Sequence, residues 1–124
     1  MIGTILLLQS NSQIEKRLGI TLNRLFLLCQ KWGIREMALF GSVLREDFHK
    51  DSDIDFLISF ESNVPQGLLT ISKLKYELES LLNYPIDIAI KDSLKTSDNY
   101  IRSREILTTA YTIYEKTLLN LFNN

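Results

Sequence analysis

Cysteine and histidine each occur once in these 124 residues, and proline only twice. The lone cysteine, Cys29, has no intrachain partner, so no disulfide crosslinks the fold. It falls within an apolar helical pattern and reads as a buried, reduced thiol, at home in the cytoplasm. His49 stands in a polar stretch beside acids and reads as a solvated loop residue rather than a catalytic one. Neither sign of charge predominates: 14 Lys and Arg meet 15 Asp and Glu, for a net −1 and a pI near 5.8. A global basic field is therefore excluded, and with it strong non-specific binding of nucleic acid. Long hydrophobic runs are missing too. The stretch Ile2–Leu8 lacks the basic flank and small-residue cleavage site of a signal peptide. Nothing approaches the roughly 18 apolar residues of a membrane span. What remains, 45% hydrophobic and 23% charged, is the composition of one soluble globular domain. Residues 1–13 read as an N-terminal extension and 14–124 as the domain.

Periodicity orders the elements. Ile14, Leu18, Leu22, Leu25, Phe26, Cys29 and Trp32 recur at helical spacing, with Lys16, Arg17, Asn23, Arg24 and Lys31 largely on the opposite face. Gly33 closes that helix as a C′ residue, and Trp32 reads as packing at its end. Glu36–Phe40 reads as a short buried strand, Val43–Phe48 as one or two helical turns, and His49–Ser52 as a polar loop. Asp53–Phe60 alternates, with Ile54, Phe56, Ile58 and Phe60 on one face and Asp53, Asp55, Leu57 and Ser59 on the other. After the punctuation at Pro65 and Gly67, Leu68, Ile71, Leu74, Leu78, Leu81 and Leu82 mark a second long helix. Asn83-Tyr84-Pro85 ends it, Ile86–Ile90 alternates again, and Lys91–Asn99 is a polar connection. Ile106, Ala110, Ile113, Tyr114, Leu118 and Leu121 outline a final helix from Tyr100. The series predicts an α+β fold, an α/β sandwich in which a mixed sheet of three to four strands is flanked by helices.

The acids stand where chemistry can use them. Side chains alternate along a strand, so Asp53 and Asp55 project from one face, roughly 7 Å apart at Cα. Asp87 lies opposite Ile86, Ile88 and Ile90, the parity expected if its strand pairs beside Asp53–Phe60. Three carboxylates held close cannot all stay ionised without a cation. Oxygen-only ligands favour Mg²⁺ or Mn²⁺, and two such ions about 3.5–4 Å apart can serve an in-line displacement. Gly41 lets the backbone approach a triphosphate, and Ser42 offers a hydroxyl and an N–H at the start of the short helix. Each piece has an ordinary reading alone: Asp-X-Asp is often a turn, Gly-Ser is common, and Asp87 could be an exposed strand residue. Their combination and spacing point to a metal–nucleotide site. Arg45 could meet a phosphate or form a surface salt bridge. Lys91 and Lys95 could approach nucleotide, though exposed lysines usually do nothing specific. Tyr100, Tyr111 and Tyr114 fall at helical positions, with core packing the default and a partner interface the alternative.

Leu39-Phe40-Gly41-Ser42-Val43-Leu44-Arg45, Asp51-Ser52-Asp53-Ile54-Asp55-Phe56-Leu57-Ile58 and Ile86-Asp87-Ile88 together resemble a minimal nucleotidyltransferase of the DNA polymerase β superfamily. Asn99-Tyr100-Ile101-Arg102 and Arg104-Glu105-Ile106-Leu107 are similar to that family's last helix. The resemblance implies that Gly41 and Ser42, with Arg45 of the same motif, bind ATP. It implies that Asp53 and Asp55 ligate two Mg²⁺ ions, and that Asp87 ligates the catalytic one and helps activate the acceptor hydroxyl. Many members carry a glycine after the motif arginine; here it is Glu46. Such short members resemble antitoxins of toxin–antitoxin pairs whose partner is a small helical HEPN RNase. That implies transfer of AMP from ATP to a tyrosine of the toxin, within a toxin–antitoxin hetero-oligomer. Few residues lie outside the nucleotide core, so the acceptor is expected on another chain. The alternatives are a binding antitoxin that masks the toxin without catalysis, and a nucleotidyltransferase acting on a small molecule or RNA.

Overall fold

In the computed structural model, residues 10–116 are described. The calls on the segment before Ser10, and on Leu118 and Leu121, lie outside them. The stretch expected to be one helix is two, α1 (Asn11–Leu18) and α2 (Leu22–Trp32), because Gly19 takes the left-handed conformation (φ 77°) and turns the chain. The Gly19 N–H donates to the Glu15 carbonyl at 2.8 Å, and the Glu15 carboxylate accepts from the Leu22 N–H at 2.8 Å. One residue thus closes α1 and opens α2. The apolar stripe runs through the break because Ile14, Leu18, Leu22 and Leu25 all enter the same core.

Strand β1 (Ile34–Phe40) leads into a single 3₁₀ turn (Gly41–Leu44), then β2 (Ile54–Phe60), α3 (Leu68–Leu82), β3 (Ile86–Ile90), α4 (Lys91–Lys95), α5 (Tyr100–Thr109) and β4 (Tyr111–Glu115). The expected strands Glu36–Phe40 and Ile86–Ile90 are there. So is Asp53–Phe60, with Asp53 just ahead of its first residue. Three further expectations are corrected. The helical turns expected over Val43–Phe48 are a 3₁₀ turn that ends at Leu44, the polar connection Lys91–Asn99 begins with α4, and the final helix stops at Thr109. Beyond it Tyr111-Thr112-Ile113-Tyr114 is β-branched and aromatic, a composition that prefers a pleated surface. Its inward residues happen to continue the helical spacing of Ile106 and Ala110, which is what misleads the periodicity. Ala110 is extended, and the Thr108 and Thr109 hydroxyls donate to carbonyls of the last helical turn.

The four strands form one sheet in the order β3-β2-β1-β4. The pairs β1–β2 and β1–β4 are antiparallel, while β2–β3 is parallel, so the predicted mixed sheet is the observed one. Parallel neighbours need a crossover, and α3 supplies it. Helices α1, α2 and α3 bury one face over Ile34, Met37, Leu39, Ile54, Phe56, Ile58 and Ile86. The second face carries a smaller cluster of Ala38, Phe40, Leu57 and Ile106, with Ala89 and Leu94 against it. Helices thus stand on both faces, and one end of the second face is left to polar side chains.

Candidate active site

That polar end begins with register. Phe40 of β1 pairs with Asp55 of β2, and Asp55 pairs with Asp87 of β3. A row across three strands therefore carries two of the predicted acids side by side, on strands about 4.8 Å apart. Asp53 sits one residue before β2 and is exposed, as is Asp87, whereas Asp55 is half-buried. Burial pushes the Asp55 carboxyl up to about 6, and the charges of Asp87 and Asp53 push the same way; Arg102 and Arg45 pull it back. Asp55 thus feels the charge of both neighbouring acids.

Gly41 follows Phe40 directly and has φ 78°, a conformation that favours glycine. Its missing side chain matters for a second reason. A Cβ at this position would stand 3.2 Å from Asp55 Cγ and overlap Asp55 Oδ2. The turn and the acid strand close on each other only because residue 41 is glycine. Ser42 Oγ donates to the Asp53 carbonyl at 3.4 Å, a second and weaker tie between the two motifs. The turn itself spans four residues, too short for the helix-dipole contribution expected of it, and no side chain caps its start.

Arg45 takes the salt-bridge alternative. Its Nε and Nη2 donate to the two Asp47 carboxylate oxygens at 3.1 and 3.4 Å, and the guanidinium holds that carboxyl below its usual range. It still lines a pocket of about 170 Å³ with Phe40, Gly41, Arg102, Glu105, Ile106 and Thr109. Arg17, assigned by periodicity to a solvated face, instead clamps the turn. Its Nη1 donates to the Val43 carbonyl at 3.2 Å and to the Arg45 carbonyl, and its guanidinium lies 5.4 Å from the Phe48 ring centroid. No local pattern marks that role, which depends on the angle at which α1 crosses the turn.

Other candidates are occupied elsewhere. Lys91 pairs with Glu36 at 2.8 Å, past the far end of β3 from Asp87, and Lys95 pairs with Asp92 at 3.7 Å. His49 Nδ1 accepts from the Asp51 N–H at 3.2 Å, shaping the loop. Tyr114 is buried against Phe26, their rings 5.6 Å apart, while Tyr100 and Ile101 are exposed on α5. None of the three acids lines the small pocket at Gly41 or the larger cavities about Trp32 and about Phe48 and Tyr84.

Among the described residues no three His, Cys, Asp and Glu side chains converge closely enough to hold a metal ion by themselves. Mg²⁺ does not require that they do. It commonly takes one or two carboxylates and completes its octahedron with water and substrate phosphate. An all-oxygen set beside a backbone cleared for close approach fits such an ion with its nucleotide.

A glycine-serine turn closed onto paired carboxylates at one end of a mixed sheet defines a nucleotidyltransferase. Residues 27–111 match the nucleotidyltransferase domain family, and the chain belongs to it. It is 38% identical over 80 residues to protein adenylyltransferase MntA of Thermococcus cleftensis, across 64% of this chain and 79% of that one. A solved structure assigned to a minimal nucleotidyltransferase is 31% identical, with TM-score 0.56 over 71% of this chain and 84% of its own. A toxin–antitoxin structure with AMP-PNP aligns at TM-score 0.58 over 75% of this chain and 72% of its own; at 19% identity that is likeness of fold. The expected resemblance to minimal nucleotidyltransferases is borne out.

Proposed function

We propose that this protein is an antitoxin that transfers AMP from ATP to a tyrosine of a partner HEPN RNase, and so silences it. The observation that carries the reading is the aligned row: Gly41 after Phe40, then Asp55, then Asp87, with Asp55 packed into the space a side chain at Gly41 would fill. Similarity to a protein adenylyltransferase supports the choice of AMP and of a protein acceptor. The fold shared with toxin–antitoxin structures supports the choice of partner. The reading sets the reaction in the cytoplasm, and the buried free thiol of Cys29 is consistent with a reducing compartment. Among the described residues no helix is long and apolar enough to cross a membrane.

In this reading Asp53, Asp55 and Asp87 hold Mg²⁺ with the nucleotide, and Gly41 and Ser42 meet its phosphates. An ion bound there would offset charge on the transferring and leaving oxygens. The acceptor tyrosine Oη attacks the α-phosphorus; the Pα–O bond to the β-phosphate breaks, pyrophosphate leaves, and the phenolic proton passes towards Asp87. Incubation with labelled ATP, Mg²⁺ and the helical partner should label a partner tyrosine. Asp53→Ala or Asp55→Ala should abolish the label, and transfer that survives them would sink the assignment. Steric masking of the toxin without catalysis is the second reading. A double Asp variant that binds and fully protects cells would establish it.

A further inference from the structure

The pocket beside Gly41 holds two guanidinium groups in different states. Arg45 is already engaged by Asp47 on both its oxygens. Arg102 lines the same pocket from α5, and among the described residues its guanidinium has neither a hydrogen bond nor a salt bridge. Its backbone is nevertheless anchored: the Arg102 N–H donates to Asn99 Oδ1 at 3.2 Å in the cap that starts α5. Glu105, one helical turn on, faces the pocket as well and pairs with neither arginine. Arg102 is therefore an exposed, uncommitted cation lining the pocket beside the turn, within electrostatic reach of Asp55.

We propose that Arg102 binds the phosphate chain of the nucleotide, gripping from α5 the group that the Gly41 turn meets from β1. This rests on the nucleotide-site reading above. Guanidinium suits the task because its planar fork matches phosphate oxygens in pairs and carries its charge at any working pH. The assignment also gives α5 a role in substrate binding, where packing alone requires only Ser103 and Ile106 to face inward.

The test compares ATP with adenosine, each titrated calorimetrically onto the full chain with Mg²⁺. Wild type should bind ATP well above adenosine. Arg102→Ala should weaken ATP roughly 10- to 100-fold, the range for a hydrogen bond to a charged group, and leave adenosine unchanged. Arg102→Lys should restore part of the loss, and neither variant should shift the melting temperature, since the side chain is exposed and unpaired. Glu105→Gln should hold or tighten ATP. ATP binding within twofold of wild type in Arg102→Ala overturns the proposal, as does equal loss of ATP and adenosine. Failure of wild type itself to bind ATP overturns the nucleotide-site reading and this inference together.

Discussion

At Asp55 and Gly41 one carboxylate and one missing methyl group decide each other's position. Alanine at residue 41 would have to hold φ near 78° and displace the Asp55 carboxylate. The backbone cost alone is about 1–2 kcal/mol. A shift of the acid by an ångström costs on the order of 100-fold in rate. Gly41→Ala should therefore lower both the melting temperature and the transfer rate, read by thermal denaturation and by label incorporation. Asp55 makes a second prediction, through pH. Its folded pKa, raised to about 6 by burial and by Asp87 and Asp53, lies above the ordinary unfolded value. Between those two values the folded protein binds more protons than the unfolded one, so stability falls as pH rises. Metal-free protein should melt higher at pH 5 than at pH 7.5, and Asp55→Asn should melt about 2–5 °C above wild type at pH 7.5 while flattening that dependence. A flat wild-type profile would contradict the assigned burial.

Elements were legible where one period ran unbroken. The α3 stripe and the alternation of β2 and β3 appear in the structure because a buried face on a regular element forces its own spacing. Parity put Asp55 and Asp87 on one face before any fold was known. Three things were not legible. The break at Gly19 hides because both helices feed one core, β4 hides because its inward residues extend a helical count, and Arg17 and Arg102 reach the site through tertiary crossing. Ile113 discriminates strand from helix here. It is buried in the main core from an edge strand, so Ile113→Ala should cost about 2–4 kcal/mol by denaturant titration. Amide exchange should show the Met37–Tyr114 pairing of β1 with β4 slowed in wild type.

For the whole molecule, a net charge near zero conceals a sharply divided end. Acids from β2 and β3 meet cations from the 3₁₀ turn and α5, and a metal with nucleotide would join them. Anything that binds only the folded state stabilises it, by about 2.7 kcal/mol at 100 times its dissociation constant. Mg²⁺ with ATP should therefore raise the melting temperature of wild type, and chelation should reverse the gain. Asp53→Ala and Asp55→Ala should lose most of that response. A rise that persists in both would place the ion elsewhere.

Asp87 reaches its place only by way of the α3 crossover, and β3 is one of the two edge strands of the sheet. Time therefore enters the design. A chain leaving the ribosome carries the turn and the Asp53–Asp55 pair early, yet lacks its third acid until β3 has emerged and docked in parallel. Edge strands also open more readily than central ones. Fraying of the five residues of β3 would draw Ile86 from the core and Asp87 from beside Asp55, so the proposed acid set is tied to the opening of an edge strand.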